Sequence, residues 1–593
     1  MTRWAKEISL YMSSIPQFIL HGNVYDIYPY KVNDVVVPYT LRNYLSEFLT
    51  KQEGFGVVLV FEPLYGFKVL AGTEDLAKKA GIRRLEEKSL ANVADMLYEV
   101  VNNKEVRTGV IIDFSSRLPQ VNGREIDEFY YKTFRLSMEA VPSGIPAKYN
   151  PVIFVFEKDT DLPHWYTANN PLVKVISIPK PDVEIRRYIA QAVLQRLSGW
   201  QELGEQEKKS LIEGFVDQTS GLCGKEILSI SRLAMSGNIP AREINEAVRR
   251  YKVGVVENPW AKLSFEKLLD AEELIKRRVK GQEKAVRKVA GILRRAFYNL
   301  SGAQFSRYSS KPKGILFFAG PTGTGKTELA KTIAELIFGS ESSYIRFDMS
   351  EFAQEHTVHR LIGSPPGYVG YEHGGELVNA IKQNPFSVVL FDEIEKAHPR
   401  IMDIFLQILD DGRITSGRGE TVYFSEAIII FTSNLGIYEV LPDGTKKMRV
   451  KYENSYEEIE KEVLEAIKDY FYFRLGRPEI LNRLGENIVV FDFIREGPAL
   501  EILNKMLNNV SGKLWDEHKL RLEIGERTME VIKSYCLRDL SMGGRGIGNR
   551  LEEVLITPLS NLLFDLRPTE GSRVVIEDIV AEEYGYRLIG RLE

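Results

Sequence analysis

The octapeptide GPTGTGKT, Gly320 to Thr327, has the spacing G-x-x-x-x-G-K-T and stands between an apolar run, ILFFA, and a helical pattern, ELAKTIAELIF. These residue types suit polyphosphate binding. Glycines let backbone N–H groups point at phosphate oxygens, and a helix N-terminus adds a favourable field, so Gly320, Pro321, Thr322, Gly323, Thr324 and Gly325 form a candidate cradle. Lys326 would reach the β and γ phosphates of ATP, and the Thr327 hydroxyl would bind Mg²⁺. Further on, VVLFDE (Val388 to Glu393) ends an apolar run with two acids. Asp392 would enter the Mg²⁺ shell, and Glu393 would orient an attacking water and take its proton. Strand ends often carry solvated carboxylates, and it is the pairing with a phosphate loop that gives these two a chemical reading. Asn434, closing FTSN, could hold the same water or serve as a turn residue. Phosphoryl transfer builds negative charge, which an added arginine relieves by roughly 10³- to 10⁵-fold in rate. Arg483 in GRPEILNRLGENIVVF and Arg545 in SMGGRGIGNR are candidates, and spacing alone leaves a plain solvated role open for each.

Groups placed this way need strands that deliver loops to one edge of a sheet. Five apolar runs predict strands in the second half: GILFFAG (314–320), YIRFDM (344–349), SVVLFDE (387–393), AIIIFTSN (427–434) and NIVVFDF (487–493). The first half repeats the plan with QFILHG (17–22), GVVLVF (56–61), GVIIDF (109–114), PVIFVF (151–156) and VKVISI (173–178). Helical patterns such as LRNYLSEFLTK and SLANVADMLYEVVNN lie between them. Alternation of this kind predicts α/β architecture: two tandem doubly wound parallel sheets, each followed by a smaller, mainly helical domain. In the last segment LRLEIG and SRVVIED add strands, making that small domain α+β.

Composition narrows the partners. The chain has 593 residues, 27% charged and 44% apolar, with net charge -4 and a pI near 6.2. That balance gives no general attraction to nucleic acid. Basic residues in IKRRVKGQEKAVRKVAGILRRAF alternate with apolar ones at helical spacing, which predicts a packed helix with a solvated face. Two distant cysteines, Cys223 and Cys536, suggest free thiols and a reducing cytoplasm. The opening MTRWAKEISLYMSSIPQ is interrupted by Glu7 and reads as neither signal peptide nor membrane span. His356 and His359 in HTVH could touch one metal, but imidazole does not suit Mg²⁺ and no further ligands cluster in the sequence.

Several longer runs carry a resemblance. RRVKGQEKAVRKVAGILRRA, GPTGTGKTELAKTIAELIFG, FDMSEFAQEHTVHRLIGSPPGYVGYEHGGELVNAIKQNPFSVVLFDEIEKAHP, FLQILDDGRITSGRGETVYFSEAIIIFTSNLG and GGRGIGNRLEE closely resemble the second ATPase domain of the Clp/heat-shock disaggregases and unfoldases of the AAA+ superfamily, over roughly 265–593. The resemblance implies that Val279 and Gly281 lie against adenine, that Asn434 is the first sensor and that Arg545 is the second, acting in cis. It also implies that Arg483 is a finger reaching the ATP of a neighbouring subunit, with Arg477 as its rival. A finger in trans implies a ring, and the family's ring is a hexamer. GYVG (Gly367, Tyr368, Val369, Gly370) falls where family members grip unfolded chain in the central pore. The chemistry suits that use, since Tyr368 offers a flat, sequence-tolerant face and glycines permit movement. The alternative is an ordinary glycine-rich turn with a packed tyrosine.

Other features depart from the family. Neither a separate N-terminal substrate domain nor a long inserted coiled coil is visible. The Ile-Gly-Phe or Ile-Gly-Leu loop that docks a peptidase has no match in LGIYEVLPDGTKKMRVKYENSY, so a peptidase partner is unsupported. The first half resembles an AAA core whose chemistry is gone. Asp113 is followed by Phe114 in place of an acid, Lys158 falls where the sensor Asn is expected, NNPLVK offers no finger arginine, and HGNVYDIYPY replaces the phosphate loop. The expected division is a degenerate core at 1–182, a helical domain at 183–252, a linker at 253–265, an active core at 266–495 and a small domain at 496–593. Residues 22–30 are expected to serve a partner or a packing surface, and Tyr65 in LYGF is a candidate for display to the pore. The expected function is an ATP-driven motor that remodels protein substrates by drawing chain through a hexameric pore. The alternatives are a non-threading ATP switch acting on a partner complex and, against the charge balance, a nucleic-acid translocase.

Overall fold

The computed structural model describes residues 2–32, 35–121, 123, 125–254, 257–303, 311–365, 372, 374–440, 445–583 and 585–593. Gly367 to Gly370 lie outside the described residues. The chain divides into two compact units, Met1–Tyr251 and Lys252–Glu593.

In the first unit the strands are β1 (Gln17–Gly22), β2 (Ile27–Val32), β3 (Val35–Thr40), β4 (Val57–Glu62), β5 (Gly66–Ala71), β6 (Thr108–Ile112), β7 (Val152–Phe156) and β8 (Val173–Ile178). Its main sheet runs β5-β4-β6-β7-β1-β8, parallel except for β5. Alternate residues face opposite layers, as a strand's period of two requires. Ile19, Val110, Ile112 and Phe154 enter one core, while Phe18, Leu20, Ile111 and Ile153 enter the other. Both faces are therefore covered, which explains why these strands read as unbroken apolar runs.

The second unit contains β9 (Gly314–Ala319), β10 (Tyr344–Asp348), β11 (Val388–Asp392), short hairpins β12–β13 (Arg413–Thr415, Thr421–Tyr423) and β15–β16 (Tyr438–Val440, Lys446–Met448), β14 (Ile428–Ser433) and β17 (Ile488–Val490). Its sheet runs β10-β11-β14-β9-β17, all parallel. Numbered by their order in the chain, the five parallel strands of each unit lie in the same spatial order, 5-1-4-3-2. The connections between neighbours place β1 and β9 next to the centre, and the loop after each opens at a crevice where the strand order reverses, the usual ligand position in such sheets.

Each core is followed by helices: Val183–Leu194, Glu205–Gln218, Gly224–Ser236 and Ile244–Val253 in the first unit, and Glu496–His518, Glu526–Cys536, Gly543–Leu551 and Thr557–Leu566 in the second. The second set packs on β18 (Arg521–Ile524), β19 (Arg573–Glu582) and β20 (Gly585–Leu592).

The sequence reading contained neither the hairpins β2–β3, β12–β13 and β15–β16 nor strands β5 and β20. Hairpin β2–β3 carries Pro29 opposite Pro38; proline inside a run argues against a strand, but an isolated hairpin has free edges that tolerate it. Antiparallel β5 turns back from β4 through Leu64 and Tyr65, leaving Tyr65 75% exposed at the tip. Strand β20 was hidden by its exposed, mixed composition. Within the segment read as a linker, Trp260 is only 7% exposed and donates its indole N–H to Glu426 O at 3.0 Å, as part of the second unit's core. Cys223 and Cys536 are free, and burial pushes both thiols up to about 11.

Candidate active site

Strand β9 delivers the phosphate loop. Gly320, Gly323 and Gly325 have φ of +145, +77 and +100, and the helix Lys326–Phe338 starts immediately afterwards. A Cβ on Gly323 would lie 2.2 Å from Met542 O, and Gly323 O accepts the Gly544 N–H at 2.9 Å. The helix Gly543–Leu551 is thereby seated on the loop with Arg545 in its first turn. Arg545 is exposed to the crevice, and its positive charge bears on Lys326.

Lys326 is buried, and its Nζ donates to Gly320 O at 2.6 Å, Pro321 O at 2.9 Å and Asn434 Oδ1 at 3.0 Å. Asn434 Nδ2 donates in turn to Glu393 Oε1 at 3.2 Å. A continuous line of hydrogen bonds thus joins the phosphate-loop lysine to the carboxylate at the end of β11. Burial pushes the Lys326 ammonium down to about 8, against the opposing pull of Glu395, Asp392 and Glu393. Thr322 and Thr327 are half-buried on the loop and at the helix start, and the Thr324 hydroxyl ties back to Pro321 O at 2.8 Å.

Glu393 sits at φ +56, a left-handed conformation that aims its side chain out of the strand line. Its N–H donates to Thr432 Oγ1 at 3.0 Å, and the same hydroxyl donates to Asp392 Oδ1. Lys396 pairs with Glu393 Oε2. Arg346 on β10 holds Asp392 Oδ2 through Nε at 3.0 Å and Nη2 at 2.7 Å. Glu395 accepts the Asn434 N–H at 3.0 Å, while its second oxygen is buried with no hydrogen-bond partner. Thr432, Arg346 and Glu395 were missed in the sequence. Thr432 had a signal in FTSN, but Arg346 reaches Asp392 only through the parallel register of β10 with β11, which sequence does not display.

Val279 is buried with Cγ1 3.3 Å from the Cβ position of Gly325, and Gly281, at φ +71, leaves no room beside Pro498 of the small domain. These residues line the crevice between loop and small domain. The donor set suits Mg²⁺-ATP: glycine-cradled N–H groups for phosphate, and hard oxygens on Thr327 and Asp392 for a cation that takes one or two protein ligands. Among the described residues no group of three or more His, Cys, Asp or Glu forms a metal cluster, His356 and His359 included.

The structure does not bring Arg483 to this cluster. Arg483 pairs with Asp410 and lines a hollow with Gly314 and Ile315, at the entry end of β9, whereas the phosphate loop leaves the opposite end. Six strand residues separate the two by about 17 Å. Arg477 pairs with Asp403 at 3.1 Å.

The first unit keeps the backbone of this site without its groups. Phe114 stands where Glu393 does, at φ +52 before a 3₁₀ turn, and Asp113 is held by Arg42 at 2.8 Å, as Asp392 is by Arg346. Burial pushes the Asp113 carboxyl up, and Arg42 opposes that shift. Tyr25 stacks on Phe114 at 5.5 Å, and Lys158 is exposed beyond β7.

Known proteins are similar to parts of this chain. A family model described as AAA domain (Cdc48 subfamily) matches residues 311–487, and one described as AAA+ chaperone, N-terminal Rossmann-like domain matches residues 1–179. The chain is 40% identical over 315 residues to the chaperone protein ClpB of Aquifex aeolicus, covering 53% of this chain and 30% of that protein. With ClpB of Vibrio vulnificus (strain YJ016) it shares 38% over 353 residues, 59% of this chain and 39% of the relative. The chain therefore spans less than half the length of these curated relatives. A solved Saccharomyces cerevisiae Hsp104:casein complex in its extended conformation matches with TM-score 0.61 at 21% identity, over 99% of this chain and 94% of that one. By motif order, site geometry and these matches, the chain is similar to the AAA+ ATPases of the Clp/heat-shock disaggregase type.

Proposed function

We propose that the second unit binds and hydrolyses Mg²⁺-ATP and that the turnover drives remodelling of protein substrates in a hexameric ring. The observation that carries the catalytic part is the hydrogen-bonded line from Lys326 through Asn434 to Glu393. Lys326 holds the β and γ phosphates once released from the loop carbonyls. Thr327 and Asp392 would hold Mg²⁺, which would supply charge neutralisation for phosphoryl transfer. Glu393, oriented by Asn434, takes the proton of the attacking water. Arg545 contributes positive charge in cis. Arg483 faces away from its own phosphate loop and serves a neighbouring chain's site, which is the geometric reason to favour a ring. Val279 and Gly281 bound the adenine side.

The similarity to these relatives supports a protein substrate, threading by Gly367, Tyr368, Val369 and Gly370, and a cytoplasmic setting. No helix among the described residues is long and apolar enough to cross a membrane. The test of threading is Tyr368→Ala. The expected result is loss of ATP-dependent unfolding of a tagged substrate with basal hydrolysis kept. Unchanged unfolding would overturn threading, and a protein whose assembly alone responds to ATP would establish the switch instead.

A further inference from the structure

The two units join core to small domain by different chemistry at the same place. In each, the third α-helix of the small domain starts with glycine and points its N-terminus at the loop after the first strand: Gly543–Leu551 toward Gly323, and Gly224–Ser236 toward the loop after β1. In the second unit that N-terminus borders the phosphate cradle. In the first it meets a carboxylate. The Gly224 N–H donates to Asp26 Oδ2 at 2.7 Å and the Lys225 N–H to Asp26 Oδ1 at 2.8 Å. Asp26 is 2% exposed and is held further by Asn23 Nδ2 at 2.7 Å. A Cβ on Gly224 would fall 3.2 Å from Asp26 Oδ1 and 2.7 Å from Ile27 Cγ1, so a larger residue would have to displace those side chains.

Two anionic oxygens on the first N–H groups of a helix reproduce what phosphate oxygens do there. Three N–H groups of the surrounding loop are already committed to carbonyls. Gly22 N–H is spent on Glu157 O at 3.2 Å, Asn23 N–H on Ile178 O at 2.8 Å and Val24 N–H on Gly22 O at 2.8 Å. Behind them Val24, Tyr28 and Tyr30 are buried, with Tyr28 and Tyr30 packed edge-on against Tyr44. Tyr25 stacks on Phe114, which stands where Glu393 does in the second unit.

We propose that Asp26 is an internal stand-in for nucleotide phosphate, clamping the first core to its own helical domain permanently and closing that site to ATP. The first unit then keeps one arrangement of core and small domain through every nucleotide state of the second. This goes beyond the function proposed above, and its test does not depend on it, because the second site can be silenced.

The experiment is hydrogen exchange on the full chain carrying Lys326→Ala, read in peptides covering Gly22–Asp26 and Gly224–Lys225. Saturating Mg²⁺-ATP is expected to leave both unchanged, and adding Asp26→Ala is expected to speed exchange at Gly224–Lys225 about tenfold, as loss of a helix-capping carboxylate does. Should Asp26→Ala fail to fold, Asp26→Asn, which keeps an accepting oxygen but no charge, is expected to fold and to exchange faster than its parent. ATP protection of either peptide in the Lys326→Ala chain, or parental exchange in the folded Asp26 variant, would overturn the proposal.

Discussion

Lys326 makes the site sensitive to pH. Its ammonium, lowered from an ordinary 10.5 to about 8 by burial, is drawn back to the charged form by bound phosphates. ATP binding above pH 8 is therefore expected to take up a proton, and affinity is expected to fall toward about tenfold per pH unit. Calorimetry in two buffers of different ionisation enthalpy measures the uptake directly. Stability of the nucleotide-free chain moves oppositely: the unfolded lysine keeps its proton up to 10.5, so stability from this residue rises between pH 8 and 10.5. Thr432 is a second residue-scale test. Its hydroxyl ties Asp392 to the Glu393 backbone, and Thr432→Val is expected to cut kcat about 10- to 100-fold with a smaller change in KM, as loss of a supporting hydrogen bond to a metal-holding carboxylate does. Motif spacing made Lys326, Asp392 and Glu393 legible, because local chain geometry places them. Thr432, Arg346 and Glu395 converge from neighbouring strands and turns, and that convergence is written in register rather than in spacing.

At the scale of elements, strands with both faces buried read clearly as apolar runs, and β1 and β8 have the bounds expected of them. Hairpin β2–β3 did not, because its prolines and tyrosines satisfy local packing rather than a strand pattern. That hairpin stands between β1 and the helix Leu41–Glu47, where the phosphate loop would be. Restoring one lost group should therefore not restore function: Phe114→Glu in a Lys326→Ala background is expected to show no phosphate release above the parent. Packing carries the sheets themselves. Phe154, fully buried on β7 against Phe129 and Tyr166, is expected to cost about 3–5 kcal/mol as Phe154→Ala, read by denaturant unfolding of the first unit's transition.

Across the molecule, two sheets with one strand order serve different ends. The second presents a phosphate cradle between core and small domain; the first fills the corresponding place with Asp26, Tyr25 and Phe114. Arg483, turned from its own site and paired with Asp410, belongs on this scale because the role proposed for it would require another chain. Arg483→Ala and Lys326→Ala are each expected to lower hydrolysis by about 10³-fold or more, and a mixture of the two to regain activity where an intact Lys326 meets an intact Arg483. No recovery on mixing would place the arginine's role within its own chain. The central claim is that one site per chain works. It is tested most directly by counting nucleotides retained by Glu393→Gln, which should bind ATP without turning it over. The account predicts at most one ATP per chain, abolished by adding Lys326→Ala; two per chain, or retention after that substitution, would contradict it.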